Sequence, residues 1–325
     1  MSADGRVLTL GETMVALRGT GPLKLGGSMD LSVAGAESNV AIGLARLGHA
    51  VRWAGAVGDD EAGELVLRTL RAEGVDVSHA TRDPHAPTGL ILFEPRLPEV
   101  TRVHYYRAGS AGSRLSPDAV EAAFAAAAPP HVLHLTGITP ALGPSAAEAC
   151  RRALRLAREH GSRVCLDVNF RARLWSREEA AAELRAWVPY VDVLIASDDE
   201  LPLCLPESAP AGAPGALESP AKSLLARGVR EVVVKLGADG ATVHTADGAL
   251  HSPAREVRAV DPVGAGDAFV AGYLSALLDG AEVPERLARA VTTGAFAVAS
   301  HGDWEGAPTR SELALLGAGA GTVVR

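Results

Sequence analysis

The stretch DPVGAGDAF, Asp261 to Phe269, sets two glycines around an alanine and an aspartate directly after them, ahead of the apolar run AFVAGYLSALL. The run reads as a helix, and a helix start presents N–H groups without intrahelical partners and a partial positive charge. Glycines let a backbone approach an anion with no Cβ in the way. Gly264, Ala265 and Gly266 therefore read as an anion cradle, with Asp267 as an acid beside it. A phosphate held there in transit, next to a carboxylate able to take a proton from an attacking hydroxyl, describes phosphoryl transfer to an alcohol. In that chemistry positioning and charge stabilisation supply most of the catalysis. The bland alternative is a tight turn ahead of a helix. Neither the GxxxxGK[ST] phosphate loop nor the HRD and DFG elements of protein kinases occur in the chain.

Such a site needs a frame. The 325 residues, 47% of them hydrophobic, suffice for one large domain, with or without a small appendage. A net charge of −8 argues against a nucleic-acid or anionic-membrane partner, so an anionic ligand must be met by local cations. Cys150, Cys165 and Cys204 are far apart and lack zinc-ligand spacing, which points to buried thiols in a reducing compartment. The N-terminal MSADGRVLTLGE lacks the basic and apolar regions of a signal peptide, and no apolar run reaches the ~18 residues of a membrane span. The expectation is a cytoplasmic protein with no membrane association.

Along the chain, short apolar strands (RVLTLGE, VRWAGAVG, HVLHLTG, SRVCLDVNF, VDVLIAS, REVVVKLG) alternate with helical patterns such as AESNVAIGLARLG, where Gly48 ends the helix, and AAEACRRALRLAREHG. Strands apolar on both faces in this rhythm predict an α/β fold with a mostly parallel sheet covered by helices. The C-terminal third reads as helices over 264–279 and 283–300 and a short one near 309–316. Residues 13–34 and 88–108 break the rhythm with extended, alternating character; the second reads as a hairpin, and both would form a small separate sheet. Residues 205–220, rich in Pro, Ala, Gly and Ser, read as a surface loop.

DPVGAGDAF resembles the signature of the ribokinase-like (PfkB) sugar kinases, and AGAESNVAIGLARLG at 34–48 resembles that family's N-terminal signature. The resemblance covers essentially the whole chain. It implies a three-layer α/β/α kinase domain (1–12, 35–87 and 109–325) with a β-sheet lid (13–34 and 88–108), and ATP and Mg2+ as co-substrate and ion. Within the family, VHYYRAGSAGSRLSP, LDVNFRARLW and GDWEGAPTR resemble the 2-keto-3-deoxygluconate kinases, which act on a sugar acid. A carboxylate suits guanidinium recognition. That assigns Arg107 and Arg171 to the acid end, with Tyr105 on the same strand face as Arg107.

The same resemblance implies that Gly35, Ala36, Asn39 and Asp303 meet the sugar and that Asp267 is the general base for its terminal hydroxyl. Asn169, Ser197, Lys235, Gly237, Ala238 and Gly240 would line the nucleotide site with Gly264 and Gly266, and Glu200 would organise magnesium through water. Ser197 stands where the family has Asn, and Ala34 where it has Gly. KLGADG alone would also suit a plain strand-to-strand turn. The rival readings are a fructokinase- or ribokinase-type kinase of a neutral sugar, a nucleoside kinase, and a catalytically silent sugar-binding protein on the same fold. Apolar residues on both faces of the lid strand (Leu90, Ile91, Leu92, Phe93) predict a homodimer or higher oligomer through the lid.

Overall fold

The computed structural model describes residues 6–97, 100–125, 128–206 and 217–317. The first half of the chain runs β1 (Arg6–Leu10), β2 (Met14–Gly19), β3 (Met29–Ala34), α1 (Ala36–Arg46), β4 (Ala50–Ala54), β5 (Ala56–Gly58), α2 (Glu61–Ala72), β6 (Thr81–Asp83), β7 (Leu90–Leu97), β8 (Val100–Tyr106), α3 (Pro117–Ala125), β9 (Val132–Thr136) and α4 (Pro144–His160). The second half runs β10 (Arg163–Asp167), α5 (Arg177–Trp187), β11 (Val193–Ser197), α6 (Glu218–Leu225), β12 (Glu231–Lys235), β13 (Ala241–Thr245), β14 (Gly248–Ser252), α7 (Ala265–Leu278) and α8 (Val283–Val298).

Eight strands form the main sheet in the order β14-β13-β12-β11-β10-β9-β1-β4. Pairing is parallel from β12 to β4 and turns antiparallel only in the β12–β13–β14 meander at one edge. Side chains alternate across the pleat, so each strand feeds two cores. Val164, Leu166, Leu194, Ala196, Val232 and Val234 pack with residues of α3, α4, α5 and α6. Cys165, Val193, Ile195 and Val233 pack on the opposite face with residues of α1, α2, α7 and α8. This is why the strands read as continuously apolar, and it makes the three layers. The three cysteines are buried and unpaired.

The strand order reverses between β1 and β9, since β4 follows β1 on one side and β9 is added on the other. Ligands of open parallel sheets bind beyond the carboxyl ends of strands at such a point. α1 and α7 lie together there: a Cβ on Gly43 would come within 2.7 Å of the Ala271 Cβ, so the glycine sets how closely the two helices approach. Side-chain caps close the starts of α2 and α5. Asp60 caps α2 by accepting from the Gly63 amide, and Ser176 and Glu179 form a reciprocal box at the start of α5.

A separate four-stranded sheet, order β3-β2-β7-β8, is built from the two segments that break the βα rhythm. β2 pairs antiparallel with β3 and parallel with β7, and β7 pairs antiparallel with β8. One face of it, with Met14, Ala16, Ala34, Ile91 and Phe93 buried, meets Val263 of the loop before α7. The other face leaves Leu31 and Tyr106 exposed, at 65% and 63%.

The short terminal helix expected near 309–316 is present, wound as a 3-10 helix over Arg310–Gly317. One sequence boundary is corrected. In the 205–220 stretch read as a loop, Glu218 already begins α6, while residues 207–216 lie outside the described residues.

Candidate functional site

Asp267 sits in the first turn of α7, behind the glycines that open it. Gly264 is the N-cap in the left-handed region (φ +75°), and a Cβ there would also overlap the carbonyl of Asp303, so the position excludes side chains twice over. Of the first-turn amides of α7, Ala265 N donates back to the Pro262 carbonyl at 3.3 Å, and those of Gly266 and Asp267 have no acceptor within the helix. Asn39, in the first turns of α1, donates Nδ2 to Asp267 Oδ2 at 2.8 Å. Lys235, the last residue of β12, brings Nζ to 3.6 Å from where a Cβ on Gly266 would stand. The same Nζ donates to Asp167 Oδ1 at 2.8 Å, at the carboxyl end of β10.

These charges are interdependent. Asp267 keeps some surface open to solvent, but its carboxyl is hemmed in by protein. Burial pushes its pKa up to about 7; the Asp167 charge adds to the rise, while the Asn39 hydrogen bond, Lys235 and Arg171 oppose it. Burial works against the charge on Lys235, yet Asp167, Glu200 and Asp267 together outweigh it and the ammonium is held above its usual range. Asn169 sends Nδ2 toward Asp167 Oδ2 at 3.4 Å, and it is the one non-glycine residue with positive φ (+40°) among the described residues. Backbone held in that region stores strain and is common at functional sites.

A second group closes another side. Asp303 is 9% exposed and accepts from Arg18 Nη2 at 2.5 Å, while Arg18 Nη1 reaches Asp261 at 3.4 Å. The guanidinium lies 4.0 Å from the centroid of the Phe93 ring. Burial raises the Asp303 pKa to about 6 in spite of Arg18. The segment after Asp303 is tied to the small sheet through Trp304 Nε1 to the Val33 carbonyl (3.1 Å) and Ser32 Oγ to Glu305. From α1, Arg46 Nη1 donates to the carbonyls of Trp304, Glu305 and Ala307 at 3.4, 3.0 and 2.7 Å.

The structure thus gathers Asn39, Lys235, Gly264, Ala265, Gly266 and Asp267, with Asp303 against Gly264. Gly35 precedes α1 and Ala36 opens it; a Cβ on Gly35 would overlap the Glu12 carbonyl. Arg107 does not stand free to await a ligand. Its Nε and Nη2 both meet Glu12 Oε2, at 2.7 and 2.5 Å, and its Cζ lies 5.7 Å from the Tyr105 ring centroid. Arg171 is exposed and donates Nη1 to the carbonyl of Phe170 at 3.2 Å. Gly237, Ala238 and Gly240 form the short turn joining β12 to β13, directly after Lys235. Glu200 uses both oxygens on backbone amides, Phe170 N at 2.7 Å and Ser197 N at 2.9 Å, and so ties the ends of β10 and β11 together; Ser197 Oγ donates to Asp199 at 2.5 Å.

Sequence reasoning passed over Glu12, Arg18, Asp167 and Asp261. The available signals were an acid directly after the first strand's glycine, a lone cation in MVALRG, and the first residue of DVNF.

Chemically, a left-handed glycine, outward amides and a nearby ammonium suit a phosphoryl group, and a carboxylate with a pKa near neutrality suits proton removal. Among the described residues no three acidic, histidine or cysteine side chains converge as a metal set.

Comparison with known proteins identifies a family and relatives of similar length. Residues 4–310 match the pfkB family carbohydrate kinase pattern. The 2-dehydro-3-deoxygluconokinase of Thermoproteus tenax is 37% identical over 95% of this chain and 93% of its own. The 2-dehydro-3-deoxygalactonokinase of Haloferax volcanii is 34% identical over 97% and 98%. The crystal structure of 2-dehydro-3-deoxygluconokinase from Thermotoga maritima superimposes with a TM-score of 0.87 at 26% identity, covering 96% of this chain and 99% of that one.

The Asp267 environment carries a stability cost whose sign is fixed. Its pKa rises from 3.8 to about 7 on folding, so the folded state binds the proton more tightly and loses stability as pH climbs through that window. Asp267→Asn does not titrate. Its melting temperature is expected to exceed the wild type's at pH 8, by roughly 1–3 kcal/mol of stability, with the advantage vanishing toward pH 4. Calorimetry at the two pH values checks this; an equal difference at both contradicts it.

Proposed function

This chain belongs to the pfkB family of carbohydrate kinases, and on that premise we propose that it transfers the γ-phosphoryl of ATP to the terminal hydroxyl of 2-keto-3-deoxygluconate. The observation that carries the reading is Asp267 beside the Gly264–Gly266 cradle, its pKa near 7 and Lys235 across from it. The names of the relatives and the two arginines support a sugar acid.

In this reaction the sugar's hydroxyls meet the Gly35 backbone, Asn39 and Asp303, and the acid end meets Arg107 and Arg171, with Tyr105 packed alongside. Asp267 takes the proton of the terminal hydroxyl as its oxygen bonds to the γ-phosphorus. The bond from that phosphorus to the bridging oxygen breaks, and ADP leaves with the electron pair. The α7 amides and Lys235 stabilise charge on the transferred group. Asn169, Ser197, Gly237, Ala238 and Gly240 line the nucleotide. Glu200 would help hold Mg2+ through water, and the ion would supply neutralisation of phosphate charge. Closure of the small sheet over the sugar excludes water and spares ATP from hydrolysis.

The Haloferax volcanii relative favours one second reading, the galactonate epimer as substrate. ADP release is to be measured with 2-keto-3-deoxygluconate, 2-keto-3-deoxygalactonate, gluconate, fructose and ribose. The keto-deoxy acids are expected to exceed fructose by at least about a hundredfold in kcat/KM, or roughly 2.7 kcal/mol. A preference for fructose or ribose overturns the acid reading.

Asp267→Asn is expected to lower kcat by roughly 10²–10⁴. For the wild type, kcat/KM should rise with pH as Asp267 loses its proton, with a midpoint at about 7. A near wild-type rate for the variant sinks the base assignment.

The exposed stripe of the small sheet, with Leu31 and Tyr106 on the same face, is proposed to pair between two copies of the chain. Sedimentation at micromolar concentration is expected to give a dimer, and a monomer contradicts the pairing.

A further inference from the structure

The chain passes between the main body and the small sheet four times. It enters at residues 11–13, leaves at Gly35, enters again at Gly89 and leaves at 107–110. One side chain lies against these crossings. Glu12, 2% exposed, sits between β1 and β2. Its Oε2 accepts from Arg107 Nε and Nη2, and its Oε1 accepts from Ser110 Oγ. A Cβ on Gly89 would stand 2.7 Å from Oε1, and one on Gly112 would overlap the Glu12 side chain. The neighbouring residues are small where this carboxylate needs room. Backbone bonds bind the same crossings together: Val15 N to the Gly89 carbonyl at 3.0 Å, and Ala111 N to the Pro87 carbonyl at 2.9 Å.

This has a consequence for Arg107. A guanidinium offers five N–H groups in a rigid fork. Glu12 takes two of them along the Nε–Nη2 edge. The Nη1–Nη2 edge still holds the pair of donors that matches a second carboxylate. Glu12 also compensates a guanidinium whose side chain is only 10% exposed, which would otherwise be costly to bury alone. Arg107 is therefore held in one orientation before any ligand arrives, and it need not spend binding energy on ordering a long side chain.

We propose that Glu12 is the positioning residue for acid recognition: it fixes Arg107 at the junction of body and lid, so that one edge of the guanidinium is presented to the substrate carboxylate. The proposal rests on the sugar-acid reading above. Glu12 touches no reacting atom and acts only through Arg107.

The test is a double-mutant cycle on the full-length protein with Glu12→Gln, Arg107→Ala and the pair, assayed with 2-keto-3-deoxygluconate and ATP. Glu12→Gln keeps the side chain's volume and one acceptor but loses its charge. It is expected to raise the KM for the sugar acid about tenfold, with kcat and the KM for ATP within about twofold, a split that general loosening does not produce. In the Arg107→Ala background, Glu12→Gln is expected to add nothing to that KM. The double variant should also melt above Arg107→Ala alone, because glutamine removes a buried charge left without its partner.

Two results overturn the proposal: an unchanged or lowered KM in Glu12→Gln, or the same fold increase with and without Arg107. A wild type that prefers fructose to keto-deoxy acids refutes the substrate reading itself, and this proposal with it. A wild type that prefers the acid, with Glu12→Gln unaltered, refutes only the role of Glu12.

Discussion

A carboxylate withdrawn from water must be compensated or protonated, and this protein withdraws several around one opening. Glu12 is matched by Arg107, Asp167 by Lys235 and Asp303 by Arg18. Among the described residues Asp267 has no cation in salt-bridge contact, and burial outweighs the Asn39 hydrogen bond, so its pKa moves to about 7. The pairing is selective. Three acids have a cation in direct contact, although burial still lifts Asp303 to about 6, and the one beside the anion cradle rises further, to about 7. The surrounding architecture serves to keep those partners in place: strand ends for Asp167 and Lys235, the small sheet for Arg18, the body–lid junction for Glu12 and Arg107.

Much of the fold was legible because it follows from local patterns. Strands such as VCLD and VLIA are apolar at every position since Cys165 and Leu166, or Leu194 and Ile195, serve opposite cores. The glycine-rich approach to α7 was legible because only glycine tolerates the φ of Gly264 and its contact with Asp303. The extended character of 88–108 followed from alternation, but the register that sets Ile91 opposite Tyr105 did not. The short terminal helix was legible from the helical composition of RSELALL, although its winding as a 3-10 helix was not.

What stayed hidden was pairing over distance. Nothing local to MVALRG says that Arg18 meets Asp303, or that the glutamate of LGET meets Arg107. Arg107 could be named from its place after a lid strand, but its commitment to Glu12 could not. Asp167 was passed over because it ends a buried strand. Only the parallel neighbours β11 and β12 bring Lys235 to it.

Those long connections bear on how the protein comes into being. Arg18 and Asp303 are 285 positions apart in the chain, and Asn39 and Asp267 are 228 apart. Contacts of such separation form late, after the loop-closure entropy between them has been met. A nascent chain still on the ribosome holds the β2–β3 hairpin and α1 long before it holds the glycine cradle or the wall behind it. No amino-terminal fragment that stops short of α7 carries both halves of the pocket. The order of synthesis thus keeps an unfinished polypeptide from assembling the proton-accepting centre before the strands that shield it exist.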